Sequence, residues 1–274
     1  MRCIHSTPAT LKRTALAGTA LALALTIGSV AAHAAPIAVT FAPSTFASGA
    51  ANFTADKLNL LDYSRVDLTG PASGGGTSFN ERGFLQVNNA SLNNNTFDPA
   101  GNRTAYSLYV AFNGAGTQSA SSFGSSSLGT FSSLNYTFVG ATGASQFGID
   151  GANNPFVTNA GTATTLATGS LIDGTTSFSA SPLGAGANID ATFAQQLAGF
   201  ILSPANATLT LHGAFNNDSQ IVSVINGGSA FTLNGGGGDV TFSAATTPVP
   251  EPASMALLGT GLLGLGLARR RKAN

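Results

Sequence analysis

A period of two is the feature that most limits what this chain can fold into. In Tyr106-Ser107-Leu108-Tyr109-Val110-Ala111-Phe112 the large residues at 106, 108, 110 and 112 share one face of an extended strand, because successive side chains point to opposite sides. Leu209 and Leu211 likewise lie on one side of their segment, with Thr208, Thr210 and His212 on the other. Further strand candidates fall at 37–41, 53–57, 63–68, 78–87, 134–139, 164–171, 175–179, 207–215, 220–225, 231–233 and 239–242. Short strands separated by turn residues signal a sandwich or a barrel. The expected fold is all-β, with a sandwich or jelly-roll-like domain flanked by an N-terminal helix and a short C-terminal hydrophobic helix. Residues 70–76, 119–127 and 235–238 read as turns or loops on composition. Residues 190–202 fit either a helix, with Phe193 and Leu197 at helical spacing, or two strands. No exact internal repeat is present, which argues against a solenoid.

The two ends carry a different chemistry. Arg2, Lys12 and Arg13 precede an apolar run from about Ala15 to Val30, and Ala32-His33-Ala34 follows. That order of basic segment, greasy segment and small-x-small site describes an export signal with cleavage before Ala35. The lone cysteine, Cys3, leaves with this leader, so the exported chain has no disulfide and no thiol nucleophile. At the other end Val249-Pro250-Glu251-Pro252 opens onto the apolar run 255–268 and then Arg269-Arg270-Arg271-Lys272. The run's 14 residues span about 21 Å as a helix, short of a hydrocarbon core of about 30 Å, and four glycines soften it. The basic cluster resists crossing a membrane and stays on the cytoplasmic side. A short, soft, basic-ended tail suits a signal that is removed. Three segments result: signal peptide 1–34, exported β-rich domain 35–247, and sorting signal 248–274.

At these residues the tail resembles the PEP-CTERM sorting signal of exported proteins in Gram-negative bacteria that secrete exopolysaccharide. The resemblance implies recognition by an exosortase, a membrane-embedded cysteine transpeptidase, with Pro250, Glu251 and Pro252 as the recognised triplet. It also implies Sec-type export, transient residence in the inner membrane, and a final place on the cell surface or in the extracellular matrix.

Removing both signals uncovers an acidic body. Lys57, Arg65, Arg82 and Arg103 face ten acidic residues over 35–248, a formal charge of −6. Such a surface argues against nucleic acid as a partner. Metal and cofactor chemistry finds little to use, since His212 is the one His or Cys of the exported chain and zinc and copper sites need several. His212 reads as a surface strand residue; a Ser-His-Asp hydrolase would have to employ it, although no Gly-x-Ser-x-Gly elbow occurs. Glu81 is the single glutamate of the body, and most aspartates sit in turn sequences beside Gly or Asn. The run Asn234-Gly235-Gly236-Gly237-Gly238-Asp239 superficially suggests a calcium repeat but occurs once, and a flexible hairpin loop explains it better. Asp150-Gly151-Ala152-Asn153-Asn154 is an equally weak calcium candidate. No catalytic or metal residue is assigned.

The body itself is similar to the flocculation-associated PEP-CTERM proteins. The resemblance rests on Phe53-Thr54-Ala55-Asp56-Lys57 followed by the strand at 63–68, on Tyr106 to Gly114, and on Phe215-Asn216-Asn217. It implies a non-enzymatic extracellular protein that promotes flocculation or biofilm formation together with exopolysaccharide. The competing class is a surface hydrolase or a calcium-dependent carbohydrate-binding adhesin.

Overall fold

The computed structural model describes residues 35–71, 76–119, 126–180, 183–205, 208–218 and 220–245. The leader and the tail, including both expected flanking helices and the cleavage and sorting residues, lie outside them. Among the described residues, fifteen strands and one 3-10 turn (Pro43–Thr45) make up the regular structure, and no helix is long and apolar enough to cross a membrane.

Eight of the strands form a closed antiparallel barrel. They are β3 (Lys57–Pro71), β4 (Thr77–Leu92), β6 (Tyr106–Gln118), β7 (Ser127–Thr142), β10 (Ala163–Ala180), β11 (Leu183–Gln195), β13 (Leu209–Asn216) and β15 (Ala230–Ala244). Each pairs with the next in this order, and the ring closes where β15 meets both β3 and β13. The expected sandwich or jelly roll is therefore corrected to an up-and-down barrel. Alternation along a strand is the same in both architectures, and what separates them is the long-range ladder between Leu209–Asn216 and Gly237–Ala244.

Inward positions are mainly Leu, Val and Phe, while the outward row of β3 is mixed, with Asn59, Arg65 and Asp67 beside Leu61 and Tyr63. A second sheet of β1 (Val39–Phe41), β2 (Phe53–Ala55) and β12 (Ile201–Ser203) packs into one end of the ring. Phe41, wholly buried, lies 5.1 Å from Phe53, 5.6 Å from Phe200 and 5.7 Å from Phe242 between ring centroids. Outside the wall, β8 (Gln146–Ile149) and β9 (Pro155–Thr158) form a hairpin whose Phe147 stacks on Tyr63 at 5.7 Å and meets Tyr109 edge-on at 5.4 Å. The remaining short strands are β5 (Asn95–Phe97), beside β4, and β14 (Ile221–Ile225), beside β15.

Several boundaries differ from those the sequence suggests, for one physical reason. The expected loop at 235–238 is strand: Gly235, with φ of 77°, bulges between Asn234 and Gly236, and the ladder to β3 continues on both sides of it. A bulge inserts one residue and reverses which side chains face inward. Phe231 and Leu233 are thus buried before the bulge, and Val240 and Phe242 after it. The segments 231–233 and 239–242 are one strand. A second register shift, between Leu171 and Asp173, joins 164–171 and 175–179 into β10 in the same way. Residues 190–202 resolve into the end of β11, a turn and β12, not a helix.

Phe41→Ala should cost about 3–5 kcal/mol, since the ring is fully enclosed by three others. Leu128→Ala, at a side chain 72% exposed, should change stability by less than about 0.5 kcal/mol. Urea unfolding of the two variants measures both, with the m-value expected to stay constant.

Candidate functional site

Inside the barrel lies a partly open cavity of about 100 Å³, lined in part by a second apolar cluster of Val66, Phe79, Phe131, Phe178, Phe231 and Leu233. Into this mostly apolar space β3 directs Asp62 and Ser64, which alternate inward with Leu60 and Val66. β4 adds Glu81, whose Oε1 accepts the Ser64 hydroxyl at 3.1 Å. Asn217, just past the end of β13, turns into the barrel beside Asp62, and its Nδ2 donates to Asp62 Oδ2 at 2.8 Å. Glycine makes this possible, because a Cβ at Gly236 would collide with the Asn217 side-chain amide. Asp62 and Asn217 are each only 3% exposed, yet Asp62 Oδ1 and Asn217 Oδ1 have no partner within the protein. An unmet buried acceptor costs about 1–3 kcal/mol.

Burial governs the charge state of this pair. Desolvation raises the Asp62 carboxyl above its ordinary range, against the lowering influence of Ser64 and Asn217. Desolvation also raises Glu81, and the neighbouring Asp62 charge pushes it the same way. Glu81 keeps some solvent contact through a recess shared with Asn113, Gly114 and Ser133, so Asp62 is the more completely enclosed of the two. Sequence patterning points to neither residue; the available signal was a carboxylate at an inward position of an alternating strand.

His212, expected on the strand surface, is half-buried on the outer wall and joins two partners. Its Nδ1 donates to Asp190 Oδ1 at 2.6 Å across β11 and β13, and its Nε2 meets Ser243 Oγ of β15 at 2.8 Å. This is the connectivity of a Ser-His-Asp hydrolase. Ser243 is only 1% exposed and lies in a regular ladder opposite Thr210. A nucleophile needs a carbonyl carbon within about 3–3.5 Å, and the Ser243 hydroxyl is enclosed as it stands here. In this geometry the trio is a polar clasp over the strands that close the barrel.

The two calcium candidates have other work. Asp150 Oδ1 accepts the backbone N–H groups of Ala152 and Asn154, closing a turn, and Asp239 pairs with Lys57 at 3.3 Å. Among the described residues no group of three or more His, Cys, Asp or Glu converges. Asn102 and Asn217, both in Asn-x-Ser/Thr triplets, are buried and engaged.

The remaining site is the tail, where Pro250-Glu251-Pro252, the apolar run and Arg269 to Lys272 follow in order. Residues 248–272 match the PEP-CTERM protein-sorting motif. A PEP-CTERM motif marks an exported, surface-directed protein of Gram-negative bacteria and implies processing by an exosortase. No curated protein and no solved structure matches the chain.

The lumen pair makes stability depend on pH with a defined sign. In the unfolded chain both carboxyls lose their protons near about pH 4, whereas in the barrel their raised values retain the protons to higher pH. The folded state then binds more protons, so the pair's contribution is full below that ordinary value and is lost as pH rises through the raised ones. Urea midpoints should fall between about pH 5 and about pH 8, and Glu81→Gln should flatten that fall. An unchanged slope in the variant would show that Glu81 is not the source.

Proposed function

We propose that the chain is exported by a Sec-type route, held briefly in the inner membrane by its tail, cut by an exosortase, and delivered to the cell surface or extracellular matrix as a non-enzymatic protein. In that role it promotes flocculation or biofilm formation with exopolysaccharide. The carrying observation is the PEP-CTERM motif at 248–272 behind an export leader. Two further features favour the matrix role: a polar outer face with few cations, and a cysteine-free exported body. The resemblance of 50–217 to flocculation-associated proteins gives the reading its biological direction.

Proline fixes its own φ and drives the preceding residue to extended geometry, a sequence property of Pro250-Glu251-Pro252 that suits a protease-like cleft binding extended peptides. Glu251→Ala should leave export intact and block processing, so that full-length protein accumulates in the inner membrane. Cells carrying it should flocculate as poorly as cells lacking the protein. Mass spectrometry of the surface-located wild-type protein should find no peptides from 255–269; recovering them would replace sorting with a simple membrane anchor.

The second reading, a surface hydrolase, draws on the Asp190–His212–Ser243 trio. His212→Ala separates the two. If the trio is a clasp, the variant loses about 1–3 kcal/mol of stability and shows no loss of any hydrolytic activity toward esters or polysaccharide. A hydrolytic activity that disappears in the variant while the fold persists would establish the enzyme.

A further inference from the structure

We propose that the barrel lumen binds a small aliphatic ammonium ion, its charged head held by Asp62 and Asn217 and its chain of three or four carbons lying against Phe79, Phe131 and Leu233. This goes beyond sorting and does not depend on it.

The size, polarity and charge of the cavity each narrow the ligand. A barrel of eight strands leaves an interior that side chains fill or that holds one small ligand. An apolar cavity of about 150 Å³ accepts the six carbons of benzene, so a volume of about 100 Å³ takes about four or five non-hydrogen atoms. Of the buried side-chain atoms that lack partners, the two that belong to residues lining the cavity, Asp62 Oδ1 and Asn217 Oδ1, are both acceptors, and each calls for a donor. An alcohol brings one donor and an ammonium three. Asp62 Oδ2 and Glu81 Oε1 already receive the Asn217 amide and the Ser64 hydroxyl, so the two orphans remain for the incoming head.

Charge completes the argument. The cavity lining contains two carboxyl side chains and no Lys, Arg or His, so a cation offsets what burial of the carboxyls costs. A calcium ion is a poor match, since it takes six to eight oxygen ligands and most of this wall is ring and aliphatic carbon. A zwitterionic amino acid would set its own carboxylate in the same cation-free space. An alkylammonium ion alone satisfies both the orphan acceptors and the apolar wall.

The test uses the purified exported protein, titrated with n-butylamine hydrochloride and, at equal ionic strength, with n-butanol and sodium butyrate. Calorimetry should show saturable binding of butylamine, weakening by about tenfold or more for butanol, and none for butyrate. Asp62→Asn, nearly isosteric, should weaken butylamine by about tenfold or more, and the Asn217 side-chain amide signals in NMR should shift with the same saturation curve. If Asp62→Asn does not fold, Asn217→Ser removes the second orphan acceptor and should produce the same loss. Equal affinity for butylamine and butanol would reveal a merely apolar hole and overturn the proposal. So would the absence of saturable binding, or binding undiminished in the folded variants.

Discussion

The structure depends on one ladder, the antiparallel pairing of Leu209–Asn216 with Gly237–Ala244. Without it the eight strands would form an open sheet with two unpaired edges and an exposed apolar face. The pairing brings together segments at the C-terminal end of the domain, so the ring cannot close until its last long strand is in place. Gly236 and Gly238 suit this position because the side chains of Asn217 and Phe215 occupy the space that their own would take. The Asp190–His212–Ser243 clasp crosses the same seam from outside. Closure also creates the lumen, and with it the enclosure that raises the two carboxyls.

Much of the strand inventory is legible because period-two burial is a local property. Tyr106, Leu108 and Val110 are buried as the alternation requires, and Tyr109 on the opposite face is buried only because the β8–β9 hairpin covers it. Legibility fails at the bulges. At Gly235 and again near Ile172 the parity reverses, and one strand looks like two separated by a turn. The choice between sandwich and barrel was illegible for another reason, since it rests on partners such as Leu209 and Ala244 whose pairing no local pattern specifies.

The functional residues divide along the same line. Pro250-Glu251-Pro252 and the basic cluster form a contiguous word inside the matched motif, so the sequence alone suffices to find them. The lumen group assembles from β3, β4 and the end of β13, and Asp62 and Asn217 are 155 residues apart in the chain. Asn217 has an ordinary turn composition around it, and only the fold shows that its side chain points inward. His212 stood out by scarcity, but its partners Asp190 and Ser243 were two among many similar residues.

The position of β15 also has a mechanical meaning. The backbone N–H of Ile37 donates to the carbonyl of Phe242 at 2.8 Å, so both termini of the domain leave from the capped end. A pull transmitted through Ala245 therefore runs along the axis of β15. Antiparallel hydrogen bonds lie perpendicular to the strands. The load falls on the ladders to β3 and β13 in shear, shared by many bonds at once, instead of peeling them one by one. The last of the described strands, paired on both sides, is thus the one best arranged to bear tension applied at Ala245.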